Sequence, residues 1–129
     1  MQIHQSAEDY LETILMLTQR MGRVRSIDVV NELGYTKASV SIAMKKLREN
    51  GYIAVDGEGN LTLLEPGREI AERIYSRHRL LTHFFVQLGV DEEVAAEDAC
   101  KAEHILSEQT LEKIRESALR NDVAHPQAK

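Results

Sequence analysis

The chain has 129 residues, of which 43% are hydrophobic and 29% are charged, and its formal net charge is −5. This composition indicates one compact domain, or two small domains that share a core or rely on a partner chain, and it excludes a disordered protein. The single cysteine excludes an internal disulfide. The sequence has no apolar run of membrane-spanning length and no secretory signal pattern, so we expect a cytoplasmic protein.

Charge is distributed unevenly along the chain. Residues 91 to 129 hold ten acidic against five basic residues, whereas residues 1 to 90 hold eleven of each. Within residues 23 to 50, six basic residues outnumber three acidic ones. A locally positive segment is what a DNA-facing surface needs, although an ordinary solvated surface gives the same charge count.

The first predicted element is a helix from Ala7 to about Met21. Ser6 is suited to cap this helix, and apolar residues recur along it at helical spacing. Asp9 and Glu12 lie three positions apart near its start. Because the helix dipole favours acidic residues there, the pair has a structural explanation as well as a metal-binding one.

A helix-turn-helix pattern follows. Ser26 can cap a short helix that Gly34 ends, and Thr36 can cap a longer helix from Lys37 to about Asn50. The outward residues of the longer helix are small or basic, so this helix can approach a duplex closely and contact base edges and phosphates. The predicted DNA-binding residues are Arg25, Ser26, Thr36, Lys37, Ala38, Ser39, Ser41, Lys45 and Lys46.

A β-hairpin is predicted directly after this recognition helix, with strands 52–55 and 61–64 joined by a turn at 56–60. Its place in the order of elements favours the wing of a winged helix, with a generic surface hairpin as the alternative. Asp56 and Glu58 at the tip would repel phosphates.

The rest of the chain is predicted to be helical. Pro66 begins a helix that runs to about Leu88 and is long enough to leave the winged domain and enter another unit. An acidic helix follows and carries the cysteine. Ser107 can cap a last helix to about Leu119, and residues 121–129 have the pattern of a frayed tail.

Three of these helices carry potential metal ligands. In the acidic helix, Cys100, Glu103 and His104 have a spacing that would place a thiol, a carboxylate and an imidazole on one helical face. A transition-metal site usually needs about four to six donors. The first helix can add its acidic pair and the long helix one histidine, although a lone histidine on a helix is more often a surface residue. The candidate ligands are Asp9, Glu12, His78, Cys100, Glu103 and His104, a mixed set that suits Mn(II), Fe(II), Co(II) or Zn(II).

Four short sequence segments and the helix-turn-helix are similar to those of one known family. The segments are Ser6-Ala7-Glu8-Asp9-Tyr10-Leu11-Glu12, Arg77-His78-Arg79-Leu80-Leu81, Leu88-Gly89-Val90-Asp91 and Glu103-His104-Ile105-Leu106-Ser107. Over about residues 5 to 118, the chain resembles the metal-dependent repressors related to the diphtheria toxin repressor and the manganese transport regulator. In that family, metal binding at the seam between two domains favours the operator-binding form of a homodimer.

The element pattern and the resemblance together predict a mainly α fold: an N-terminal winged helix-turn-helix with a small β-hairpin wing, followed by an all-helical dimerisation domain. Residues 1–65 would form the DNA-binding domain and residues 66–129 the metal-binding and dimerisation domain, with a long linking helix at about 66–88. The resemblance implies a short, two-domain, metal-responsive repressor that controls metal homeostasis genes. Its partners would be a second copy of the chain and a palindromic double-stranded DNA operator, with no membrane and no small organic substrate.

Within this family the ligand set is a hybrid. Five of the six candidate ligands match the manganese branch, whereas Cys100 resembles the iron-responsive branch, which has a methionine at the position of Asp9. The iron branch's ancillary site uses an acid and a histidine where this chain has Thr82 and Ala96, so we do not expect a complete site of that type. Because a thiolate is a softer donor than a carboxylate, we favour Fe(II) slightly over Mn(II), and Co(II) or Zn(II) can substitute.

Two other functions remain open on the sequence. One is a metal-independent winged-helix regulator in which the Cys100 thiol senses oxidants. The other is a small metallohydrolase, because hydrolytic enzymes use similar ligands. The sequence has no Gly-rich phosphate loop, nucleophile elbow or second catalytic constellation, so we do not expect an enzyme.

Overall fold

The computed structural model describes residues 5–124, with side chains described for residues 6–120. In chain order the described elements are α1 (Gln5–Met21), α2 (Ser26–Leu33), α3 (Lys37–Glu49), β1 (Ile53–Val55), β2 (Leu61–Leu63), α4 (Glu65–Gln87), α5 (Glu92–Ala102) and α6 (Glu108–Ala124). The predicted mainly α fold with one small hairpin is confirmed. No helix in the described part of the chain has the length and apolar character needed to cross a bilayer.

The chain divides into two compact units, Met1–Arg73 and Ile74–Lys129. The division falls inside α4, whereas the sequence prediction placed the domain boundary at residues 65 and 66. The functional roles assigned to the two predicted domains stay predictions.

The first unit is built around α1. This helix packs against α2, α3 and β2, and Tyr10, Leu11, Ile14, Leu15 and Leu17 are almost completely buried. Because apolar residues recur along α1, α2 and α3 at helical spacing, each helix has one face that must be covered by the others. The buried core of this unit includes Leu11, Ile14, Leu17, Val29, Val40, Met44, Leu47 and Ile53.

The turn between α2 and α3 depends on two local features. Gly34 ends α2 with a left-handed φ of 72°, a conformation that glycine adopts without steric cost, and its N–H donates to the Val30 carbonyl at 2.8 Å. Thr36 caps α3 as predicted, because its Oγ1 accepts a hydrogen bond from the Ser39 N–H at 3.1 Å. Together these residues set the short turn of the helix-turn-helix.

Two predicted helix caps are wrong. Ser26 is the first residue of α2, and Arg25 is its N-cap; the Asp28 carboxylate accepts a hydrogen bond from the Arg25 N–H at 2.9 Å. Ser6 lies inside α1, which already includes Gln5. A cap residue must have non-helical backbone angles, so a residue inside a helix cannot serve as one.

The hairpin pairs β1 and β2 in antiparallel register, with Ile53 opposite Leu63 and Val55 opposite Leu61. It is also joined to the segment before α2, because the Leu61 N–H donates to the Val24 carbonyl at 2.7 Å. The base of the wing is therefore held against the entry to the helix-turn-helix by backbone hydrogen bonding.

Gly67, near the start of α4, allows a close backbone approach. A Cβ atom added at this position would lie 2.2 Å from the carbonyl oxygen of Tyr52. The same carbonyl accepts a hydrogen bond from the Leu64 N–H at 3.0 Å. Because the blocking atom belongs to the backbone, no side-chain rotation can relieve the overlap, and only glycine fits here without a shift.

The second unit packs α5 and α6 around the C-terminal part of α4. Leu81, Ala99 and Leu111 are fully buried, and Leu80, Phe85, Ala102, Leu106 and Ile114 pack against them. Ser107 caps α6 as predicted, because its hydroxyl accepts a hydrogen bond from the Thr110 N–H at 3.1 Å.

The predicted end of the last helix, near Leu119, is wrong. Helix α6 continues to Ala124, because each further residue of a helix adds a backbone hydrogen bond and so propagation does not require a continuous apolar periodicity. The remaining residues of the predicted frayed tail, 125–129, lie outside the described residues.

Candidate metal centre and nucleic-acid interface

The acidic helix that carries three candidate ligands ends earlier than predicted. Its last residue is Ala102, and Glu103 is the C-cap with φ −60° and ψ −24°. The Glu103 N–H donates to the Ala99 carbonyl at 2.9 Å, which is the four-residue spacing of an α-helix. The Ile105 N–H instead donates to the Ala102 carbonyl at 3.1 Å, and this three-residue spacing is typical of the tighter turn that ends a helix. His104 and Ile105 therefore lie in a turn, and their predicted place within the helix is wrong.

Three of the predicted ligands come together in the second unit. Nδ1 of His78 lies 3.0 Å from Oε1 of Glu103, and Nε2 of His104 lies 3.4 Å from Oε2 of the same carboxylate. Glu103 is fully buried, the His104 side chain is 1% exposed, and the His78 side chain is 20% exposed. A single buried carboxylate thus lies between two imidazoles, one from α4 and one from the turn after α5.

This cluster fits a divalent transition-metal ion. A buried carboxylate is unfavourable unless a cation or hydrogen-bond donors compensate its charge. Carboxylate oxygen and imidazole nitrogen are both ligands that ions such as Fe(II), Mn(II), Co(II) and Zn(II) accept. Glu103, His78 and His104 could therefore hold an ion.

The other three predicted ligands are Asp9, Glu12 and Cys100. Asp9 is half-buried and Glu12 is 5% exposed; they lie one turn apart on α1, in the first unit. Cys100 lies in the last part of α5 and its side chain is exposed. That these three residues also bind the metal stays a prediction.

Arg77 makes two contacts that were not predicted from the sequence. This side chain is 16% exposed; its Nη1 donates to the Glu103 carbonyl at 3.2 Å, and its Nη2 pairs with the Glu108 carboxylate. Glu108 is the first residue of α6. The available signal was an arginine adjacent to a candidate metal-binding histidine, but no local pattern indicates what its guanidinium contacts.

The predicted DNA-binding residues lie on the surface of the first unit. Eight of the nine are exposed, and Ser26 is half-buried. The opposite face of α3 is buried through Val40, Met44 and Leu47, as the apolar spacing predicted. The recognition helix therefore presents mostly small, polar and basic residues to solvent, with Ile42 exposed among them.

Part of this face forms a recess of about 260 Å³ between α2, α3 and β1. It is lined by Ser26, Ser41, Met44, Lys45, Arg48 and Val55. Arg48, one of the six basic residues within residues 23 to 50, is not among the predicted DNA-binding residues. Ile42 was also not included, and it is 58% exposed on α3. An isoleucine on the outer face of a recognition helix can make apolar contacts with thymine methyl groups.

The acidic tip of the wing has a structural role. The Asp56 carboxylate accepts hydrogen bonds from the backbone N–H groups of Glu58 and Asn60, each at 2.9 Å, and from the Asn60 side-chain amide at 3.0 Å. These hydrogen bonds, those from Asn60 foremost, lower the pKa of Asp56 below its ordinary value. The guanidinium of Arg25 lies beside the same turn, 3.4 Å from where a Cβ of Gly59 would be. The charge of Arg23 also lowers the pKa of Asp56, and the predicted repulsion of phosphates at this tip stays a prediction.

Comparison with known proteins covers nearly the whole chain. Residues 2–61 match the family described as iron dependent repressor, N-terminal DNA binding domain, and residues 64–126 match iron dependent repressor, metal binding and dimerisation domain. A helix-turn-helix-type transcriptional regulator of Methanocaldococcus jannaschii is 36% identical over 86% of this chain and 90% of its own length. The regulator MntR of Lysinibacillus sphaericus is 34% identical over 84% of this chain and 78% of its own.

A solved structure has the same fold. A manganese-dependent transcriptional repressor in complex with manganese matches with a TM-score of 0.80 and 28% identity. The match covers 87% of this chain and 52% of that one, so the present chain spans about half of the solved protein. The chain thus belongs to the iron-dependent repressor family, whose members are metal-dependent, DNA-binding transcriptional regulators and not enzymes.

Proposed function

We propose that this protein is a metal-gated repressor that binds Fe(II) or Mn(II) and then a palindromic operator, and so controls genes of metal homeostasis. The observation that carries the proposal is the buried Glu103 carboxylate between His78 and His104. This cluster occurs in a chain whose first unit has an exposed helix-turn-helix surface. Because the operator belongs to the genome, we place the protein in the cytoplasm.

We propose six metal ligands in all: Asp9, Glu12, His78, Cys100, Glu103 and His104. The support is the resemblance to the family's ligand pattern, together with the burial of Glu12 and Glu103, at 5% and 0% exposure. With this set, one ion would have donors from the DNA-binding half and from the dimerisation half of the chain. A metal ion can shift the equilibrium between the operator-binding arrangement and the inactive arrangement only if it binds the two with different affinity. Metal gating therefore requires that the ion bind more tightly to the operator-binding arrangement.

We further propose that a homodimer reads two half-sites, with Lys37, Ala38, Ser39 and Ser41 at base edges and Lys45 and Lys46 at phosphates. A two-fold symmetric dimer pairs naturally with a two-fold symmetric operator. The dimerisation-domain match over residues 64–126 supports this assembly.

The direct test is DNA binding with and without metal under anaerobic conditions. Duplexes selected from a randomised pool in the presence of Mn(II) serve as probes, and fluorescence anisotropy reports their binding. We expect tight binding with Fe(II) or Mn(II) and a loss of binding after chelation. Equal affinity in the presence of chelator would overturn metal gating and favour the metal-independent regulator.

Cys100 carries the proposed preference for Fe(II) over Mn(II), because a thiolate is a softer ligand than a carboxylate. The test is a comparison of metal affinities in the wild type and in Cys100→Glu, with Cys100→Ser as a control for thiol loss. We expect Cys100→Glu to shift preference toward Mn(II). If Cys100→Ser abolishes a peroxide response while Asp9→Ala and Glu103→Ala leave metal and operator binding unchanged, the redox-sensing alternative is correct.

A further inference from the structure

Arg77 contacts both ends of the turn that carries His104. Its Nη1 donates to the backbone carbonyl of Glu103 at the C-terminus of α5, and its Nη2 pairs with Glu108 at the first position of α6. The carbonyls in the last turn of a helix lack helical partners, and a cationic side chain can satisfy them. One guanidinium therefore joins the end of α5 to the start of α6.

Glu103 is consequently held at two points by consecutive residues of α4. Arg77 binds its backbone carbonyl, while His78 lies 3.0 Å from its carboxylate. The planar guanidinium has several N–H donors in a rigid fork, so it can bind two acceptors at once in a defined relative position. The Arg77 side chain is 16% exposed, which limits the competition of water for its hydrogen bond to the Glu103 carbonyl, whereas the Glu108 carboxylate is 80% exposed.

We propose that Arg77 is a positioning residue for the metal centre: it holds the backbone of the α5–α6 turn so that Glu103 and His104 present their side chains to the ion. This inference rests on the proposed metal-binding function. Residues outside the ligand shell orient ligands in this way, and their loss typically lowers metal affinity by about 10- to 100-fold. Arg77 would act through the backbone of the turn without itself binding the ion.

The test uses Co(II), whose visible absorption reports ligand geometry, titrated into the purified 129-residue chain. We expect Arg77→Met to lower Co(II) affinity by about 10- to 100-fold and to change the absorption band. Arg77→Lys should bind Co(II) more tightly than Arg77→Met and less tightly than the wild type. The lysine ammonium keeps the positive charge but lacks the planar set of N–H donors that can bind two acceptors at once. Glu108→Gln should weaken binding in the same direction and by less, since the carbonyl contact of Arg77 remains.

Two variants serve as matched controls. Arg79→Met removes an arginine from the same helix whose guanidinium lies 5.9 Å from the centre of the Tyr75 ring. Arg115→Met breaks a 2.7 Å ion pair with Glu112 within α6. Neither arginine has a described contact with Glu103, so we expect wild-type Co(II) affinity and spectrum from both.

Thermal unfolding of each apoprotein separates positioning from stability. If Arg77→Met lowers the Tm but binds Co(II) with wild-type affinity and spectrum, the role is only structural and the inference is overturned. If Arg77→Met does not fold, Arg77→Lys and Glu108→Gln decide the question, and wild-type Co(II) binding by both overturns it. Failure of the wild type itself to bind Co(II), Fe(II) or Mn(II) would instead overturn the proposed function.

Discussion

Nδ1 of His78 lies 3.0 Å from Oε1 of Glu103, although the two residues are 25 positions apart in the chain. One residue comes from the middle of α4 and the other from the C-cap of α5. The contact places a wholly buried carboxylate next to an imidazole, and His104 approaches the same carboxylate from the following turn. This cluster is the physical basis of the proposed metal centre.

The Glu103 carboxylate should be essential for metal binding. Glu103→Gln keeps the size of the side chain but removes its charge, and it should lower Mn(II) and Co(II) affinity by at least about 100-fold, the upper end of the loss seen for residues outside the ligand shell. Isothermal titration calorimetry measures the effect. Glu112→Gln, an exposed acid of α6, is the control; equal affinity in both variants would exclude Glu103 as a ligand.

Lys45 should contribute to DNA affinity through charge. It lines the recess on the α3 face and is exposed. If it contacts one phosphate, Lys45→Ala should lower affinity for all duplexes alike and reduce the slope of log affinity against log salt by about 0.9. Lys101→Ala, an exposed lysine of α5, should leave the slope unchanged. An unchanged slope in Lys45→Ala would argue against a phosphate contact.

Gly67 should resist substitution. A Cβ at this position would overlap the Tyr52 carbonyl oxygen at 2.2 Å. Alanine would gain about 1 kcal/mol in helix propensity, whereas overpacking typically costs about 1–3 kcal/mol. The position of the Cβ is fixed by the backbone of residue 67, and the oxygen that it meets belongs to the backbone of Tyr52. We therefore expect the overpacking cost to exceed the gain in helix propensity, so that Gly67→Ala has a lower free energy of unfolding in urea than the wild type.

The matched control for this substitution is Gly57→Ala in the wing turn. A Cβ at Gly57 would have no heavy atom within 4 Å, and Gly57 has no positive φ. We expect Gly57→Ala to change the free energy of unfolding by less than about 0.5 kcal/mol. A Gly67→Ala protein as stable as Gly57→Ala would mean that α4 can move away from Tyr52 without loss.

The wing turn should loosen in acid. Hydrogen bonds from Asn60 hold the pKa of Asp56 below its ordinary value of 3.8, so the stabilisation is present above that pH and is lost as the pH falls through the lowered value in the folded protein. The NMR shift of the Asn60 backbone amide should titrate with a midpoint below 3.8. Asp56→Ala should abolish this titration and Glu58→Gln should preserve it; a midpoint at or above 3.8 would contradict the assignment.

Local features of the fold were predictable because their causes are local. The recognition helix begins at Lys37 after the Thr36 cap, as predicted. The Thr36 hydroxyl accepts a hydrogen bond from the Ser39 N–H, which has no partner within the helix, and this local contact does not depend on the rest of the chain. The predicted cap at Ser26 failed because Asp28 accepts the backbone N–H of Arg25, which makes Arg25 the cap. The sequence alone does not show which of the two adjacent residues, Arg25 or Ser26, takes the N-cap position of α2.

By itself, the sequence determined the winged helix-turn-helix, the wing and the residue types of the proposed metal centre, because periodicity, caps and turn residues act over a few positions. Only the tertiary structure decided that His78 contacts Glu103 and that Arg77 joins the two ends of the α5–α6 turn. These contacts depend on how α4 packs against α5 and α6 around Leu81, Ala99 and Leu111. Packing of distant segments sets the distances between side chains, and no local pattern encodes it.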